Sequence, residues 1–150
     1  MLALPLGNLH ASQGAKVAGD IAVVVNAANP VNELSLPELR KMLTGDRRFW
    51  KGNVQVKLVL REPGSRERDD VLSTLLKTNN KDFAELWRAK VFRGEAAEPP
   101  LALSSNLQAE RYLLAAPGGI AFMIPKNLPP QLKILKLENK LPGEAGYALK

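Results

Sequence analysis

The chain contains no cysteine and a single histidine. The first absence removes a disulfide framework and any thiolate metal centre. The second bears on catalysis, because that histidine is His10, ahead of the first recognisable strand. A Ser–His–Asp arrangement then has no general base in the folded region, and metal sites lose two of their commonest ligand types. Aromatic residues make up only 5% of the chain, too few for base-stacking platforms along a single strand. No apolar run is long enough to span a membrane. No block of five or six like charges occurs. Neither G-x-x-x-x-G-K-[ST] nor a strand followed by G-x-G-x-x-G is present, which excludes the two common phosphate-cradling nucleotide motifs. The expectation is therefore a protein that is not an enzyme and uses no cofactor and no metal, with no nucleic acid as partner.

What is present is ordinary for a globular domain. Apolar residues make up 45% and charged residues 24% of 150, a length that fits one domain with a real core. The formal net charge of +6 points to an acidic partner or a small anion without naming one. The first nineteen residues differ from the rest: Met1 to Leu6 is apolar, and Ala11 to Gly19 is small and polar. Two readings stand for this segment, the tail of a truncated secretory leader or a flexible N-terminal extension. The domain is expected over residues 20–150.

Along that domain, strands alternate with helices. Asp20–Ala27 is a β-branched run read as a buried strand. Ser35–Leu36–Pro37–Glu38 has the capping-box form, with Leu34 and Leu39 placed as a hydrophobic staple and Gly45 as the stop. Asn53–Glu62 alternates Val54, Val56, Leu58 and Leu60 with polar residues and reads as a strand. Helices follow from Ser65 to about Lys77 and from about Asn80 to Arg93. Leu101–Leu103 is a short strand, and Ser105 with Gln108 suggests a second capping box opening a helix to about Ala116. Gly119–Ile124 and Leu132–Leu137 are further strands, and the tail after Glu138 is expected to be loosely held. Trp50 and Trp87 read as packing residues. The alternation argues for an α/β layered fold.

One turn stands out. Arg61–Glu62–Pro63–Gly64–Ser65–Arg66 lies between a predicted strand and a predicted helix. A helix N-terminus offers unpaired amides and a partial positive charge. Gly64 lets the backbone approach a ligand closely, the Ser65 hydroxyl can donate, and Arg61 and Arg66 carry forked donors suited to a tetrahedral oxyanion. The same residues also read simply as a turn and a cap.

Four segments in order resemble the substrate-binding proteins of phosphate ABC transporters, particularly short single-domain relatives. They are IAVVVNAANPVNELSLPELRKMLTG, FWKGNVQVKLVLREPGSRER, LWRAKVFRG and AAPGGIAFMI, together spanning about Asp20 to Ile124. The resemblance implies a three-layer α/β domain of the type II periplasmic-binding-protein kind, with a mixed, mainly parallel sheet flanked by helices. It implies reversible binding of inorganic phosphate or a similar oxyanion, an ABC permease as partner, and a periplasmic or otherwise exported location. In that family the anion turn reads Arg, any residue, Asp, Gly, Ser, Gly, Thr. Arg61, Gly64 and Ser65 match, Pro63 stands in place of the Asp, and Arg66 and Glu67 replace Gly-Thr. The site expected here is Arg61, Gly64, Ser65 and Arg66. A competing reading keeps the fold but makes it an interaction domain that meets an acidic protein, lipid headgroup or nucleic acid through a basic face. A hydrolase is opposed by the lack of a histidine in the folded region.

Overall fold

The computed structural model describes residues 19–150. The expected leader or extension, and His10 within it, fall outside these residues apart from Gly19.

Seven strands and four helices follow one another as β1 (Ala22–Asn26), β2 (Glu33–Leu34), α1 (Leu36–Leu43), β3 (Lys57–Arg61), α2 (Arg66–Leu76), α3 (Asn80–Phe92), β4 (Leu101–Leu103), α4 (Asn106–Ala115), β5 (Gly119–Met123), β6 (Leu132–Ile134) and β7 (Lys136–Leu137). The main sheet has the order β4-β3-β5-β1-β6, and β2 pairs with β7 in a small second sheet. β4, β3 and β5 run parallel to one another, while β1 is antiparallel to both β5 and β6. Four of the five main strands thus point the same way, and the sheet is mixed but mainly parallel.

Helices cover both faces. One face of β1, Val23 and Val25, joins Leu58, Leu60, Ile120 and Phe122 beneath α1, α2 and α3, whose Leu39, Met42, Val71, Leu72, Phe83 and Trp87 complete that cluster. The alternate residues Ala22, Val24, Val59, Ala121 and Met123 pack against Ala109 and Leu113 of α4. Burial on both faces explains why β1 and β5 read as continuous apolar runs instead of alternating ones.

Local signals set the helix ends. Ser35 Oγ accepts from the Glu38 amide at 3.2 Å, and Glu38 Oε1 accepts from the Ser35 amide at 2.9 Å, a complete capping box. That amide bond, helped by the Ser35 hydroxyl and Arg47, holds the Glu38 carboxyl below its usual value. Both tryptophans are packing residues: Trp50 Nε1 donates to the Gly118 carbonyl at 2.9 Å, and Trp87 Nε1 to the Leu43 carbonyl at 3.0 Å. At Gly118 a Cβ would lie 2.0 Å from the Gln55 carbonyl oxygen, so glycine is required by close backbone approach.

Four expectations need correction. The strand expected from Asn53 begins at Lys57, because Gln55 instead bridges Phe49 in a small hairpin and Val54 faces solvent. The strand expected over Leu132–Leu137 divides into β6 and β7, which join different sheets. Gln108 does not complete a box with Ser105; its Oε1 accepts from the Ser104 amide at 2.9 Å. The tail after Glu138 is firmly held. Tyr147 and Leu149 are buried, the Tyr147 hydroxyl donates to the Ile21 carbonyl at 2.7 Å, and the Ile21 amide donates to the Leu149 carbonyl at 2.8 Å. Among the described residues no helix is long and apolar enough to cross a membrane.

Candidate functional site at the ends of the parallel strands

The expected turn sits where β3 ends and α2 begins. Ser65 has an extended backbone and is the N-cap: its Oγ accepts from the Arg68 amide at 3.2 Å. As acceptor in that bond, the hydroxyl keeps its own proton for a ligand. Gly64 has φ +92° with nothing within 4 Å of a would-be Cβ, so it supplies a left-handed turn over open space. The amides of Arg66 and Glu67 lie in the first turn, where an α-helix has no carbonyl of its own to offer them.

Arg61 is the last residue of β3, and its guanidinium is fixed from the side of the neighbouring strand. Nη1 donates to the Ser104 carbonyl at 3.5 Å, and Nη2 donates to Asn106 Oδ1. Nη2 also stands 3.5 Å from Glu67 Oε2, with the two side chains only 18% and 16% exposed. Arg61 Nε is buried without a hydrogen-bond partner among the described residues. Asn106 is the first residue of α4 and links the ends of β3 and β5: beside holding Arg61, its Nδ2 donates to the Ile124 carbonyl, just past β5, at 2.8 Å. Ser105 caps α4 by accepting from the Gln108 amide at 3.2 Å. Two helix N-termini therefore flank one arginine at the C-terminal ends of β3, β4 and β5.

Arg66 does not join that group. Its Nε donates to Asp70 Oδ2 at 3.1 Å and its Nη2 to the Gly19 carbonyl at 2.7 Å. It ties α2 to the start of β1, while Arg61, Gly64 and Ser65 remain around the turn. Two further residues, Arg68 and Asn106, were not anticipated. Arg68 is 8% exposed; its Nη1 donates to the Arg61 carbonyl at 3.1 Å and its Nε to Asn80 Oδ1 at 2.6 Å. Its guanidinium stacks 5.6 Å from the Phe83 ring centre. Burial, opposed by Asp69, lowers its pKa from the ordinary arginine value. Asn106 could have been found from the Ser104–Ser105–Asn106 run at a strand-to-helix junction. Nothing in the spacing of Arg68 marks it as buried.

Four other cations pair with acids. Arg47 pairs with Glu38, Lys57 with Glu98, Lys90 with Asp46 and Arg93 with Glu95. A separate apolar groove of about 490 Å³ lies along α3, between Trp87, Phe92 and Pro99–Pro100. Among the described residues no cluster of three or more His, Cys, Asp or Glu could hold a metal ion.

The chain belongs to the family described as the PBP superfamily domain, whose model matches residues 9–148. Its fold is similar to a putative phosphate ABC transporter substrate-binding protein with bound phosphate from Clostridium perfringens (TM-score 0.67, 16% identity, covering 89% of this chain and 53% of that one). It is also similar to an ABC-type phosphate transport receptor from Vibrio cholerae (0.62, 19%, 83% and 48%) and to a possible phosphate binding protein from Planctomyces limnophilus (0.60, 14%, 88% and 45%). At such identities the likeness is one of fold, and the chain spans about half the length of these structures. A comparison with curated proteins gave no match.

Proposed function

We propose that this domain reversibly binds a small tetrahedral oxyanion, phosphate first among them, at the β3–α2 turn, with no bond made or broken. The observation that carries the reading is the convergence of the α2 and α4 N-termini on Arg61, whose guanidinium is held in place by Ser104 and Asn106. The first-turn amides of Arg66 and Glu67, the Ser65 hydroxyl and Arg61 are the donors an oxyanion would take. Arg66 contributes positive charge nearby and no direct contact in this arrangement. Fold likeness to proteins described as phosphate binders supports the same reading. By extension we propose that the domain serves ABC-type phosphate transport, in contact with a permease and outside the cytoplasm.

Binding should be modest. Arg61, Arg66 and Arg68 share the segment with Glu62, Glu67, Asp69 and Asp70, so its charge is not positive overall. Pro63 has no side-chain acceptor for a protonated oxygen, and phosphate and sulfate should bind with similar affinity. Calorimetric titration with both anions tests the assignment. Ser65→Ala removes one donor to a charged group, worth roughly 1.5–3 kcal/mol, or about a tenfold to hundredfold weaker Kd. Arg61→Ala should cost at least as much. Equal binding by wild type and both variants would place the anion elsewhere.

A further inference from the structure

We propose that the Glu67 carboxylate is a built-in competitor for the oxyanion: by closing on Arg61 it fills the place an anion would take, and a ligand binds by displacing it. This rests on the reading of the β3–α2 turn as the oxyanion site.

Three observations carry it. Glu67 stands in the first turn of α2, where the partial positive charge of the helix end attracts a carboxylate as it would a free anion. Its Oε2 lies 3.5 Å from Arg61 Nη2, with both side chains largely withdrawn from water. The Arg93–Glu95 pair, by contrast, has side chains 53% and 48% exposed. Withdrawal from water strengthens the attraction at Arg61 and reduces its screening by salt. The other acids of α2's first turns are engaged elsewhere, Asp69 with Asn80 and Asp70 with Arg66.

The arginine does not depend on Glu67 for its position. Ser104 and Asn106 also hold the guanidinium, Ser104 through Nη1 and Asn106 through the same Nη2 that faces Glu67, and a guanidinium has five N–H donors. When the carboxylate swings away, Arg61 stays in place with donors to spare, including the buried Nε that has no partner among the described residues. Departure of Glu67 also removes one negative charge facing an incoming anion. The carboxylate thus sets the threshold concentration at which the site fills.

The test is calorimetric titration of the full chain with inorganic phosphate and with sulfate, at fixed ionic strength, comparing wild type with Glu67→Gln, Glu67→Thr and the double variant Arg61→Ala/Glu67→Gln. Glu67→Gln keeps the shape and removes the charge, and Glu67→Thr is a second neutral variant should the first fold poorly. Both should bind either anion about tenfold to a hundredfold more tightly than wild type, the factor expected for one charge-assisted contact. The gain should vanish in the double variant, and the single variants should stay folded but melt somewhat below wild type, since they lose the ion pair and a first-turn acid. If folded Glu67→Gln and Glu67→Thr bind as wild type does, or more weakly, the competitor role is wrong while the oxyanion site stands. If neither the wild type nor the neutral variants bind, the site itself is misassigned and the proposal falls with it.

Discussion

At the scale of single residues, the turn after β3 is built around two arginines, both largely withdrawn from water. Arg61 reaches across the strand ends and keeps a buried Nε without a partner among the described residues. Arg68 is buried under the turn and props up the Arg61 carbonyl. A buried cation is costly unless its donors are satisfied, and Arg68 meets that condition through Asn80, the Arg61 carbonyl and the Phe83 face. Arg68→Met should therefore destabilise the domain by about 2 kcal/mol, since it removes two hydrogen bonds from a charged donor and leaves a part-buried carbonyl unpaired. For a chain of this size that is a fall in Tm of roughly 4–8 °C. A melting curve unchanged from wild type would show that the turn needs no such support.

At the scale of elements, the helices were legible because their ends carry chemistry that acts within a few residues. Ser35, Ser65, Asn79 and Ser105 each accept a hydrogen bond from the amide three residues on, and each is the kind of residue that signals a helix start. Strands were less legible, since partners far along the chain decide them. Nothing local tells Leu132–Ile134 to lie beside β1 and Lys136–Leu137 to leave for β2. Val54 alternates correctly for a strand, yet the backbone of Gln55 is engaged with Phe49 and Gly118 abuts it. The candidate site divided the same way. Gly64 and Ser65 are local features and were readable; the pairing of Arg61 with Asn106 depends on β4 lying beside β3.

At the scale of the whole molecule, the two ends of the described chain lock together. Ile21 at the head of β1 is bonded on both its amide and its carbonyl to the tail, through Leu149 and Tyr147. Apolar tail residues after a run of Gly, Pro and charge read as loose, because the contacts that order them lie more than a hundred residues away. Burial, with a contribution from Asp20, pushes the Tyr147 phenol well above its ordinary value. The folded chain holds that proton more tightly than the unfolded chain, so the contribution to stability is full below about pH 10 and falls as pH rises beyond it. Tyr147→Phe should lose about 1–2 kcal/mol at neutral pH, from the missing hydrogen bond and the unpaired Ile21 carbonyl. It should also lack the tyrosine-linked decline that wild type shows from about pH 10 upward. Urea midpoints for both proteins at neutral and alkaline pH measure this, and parallel pH profiles would contradict it.

Arg61, Ser65 and the first turn of α2 lie at one edge of the main sheet, and the central claim is that an oxyanion settles there. The most direct measurement is an amide-resolved NMR titration of the wild-type chain with inorganic phosphate. The account predicts saturable shifts concentrated on the backbone amides of Gly64, Ser65, Arg66 and Glu67 and on Asn106, with an identical pattern for sulfate. Saturable shifts centred on another surface, or none up to high anion concentration, would contradict it.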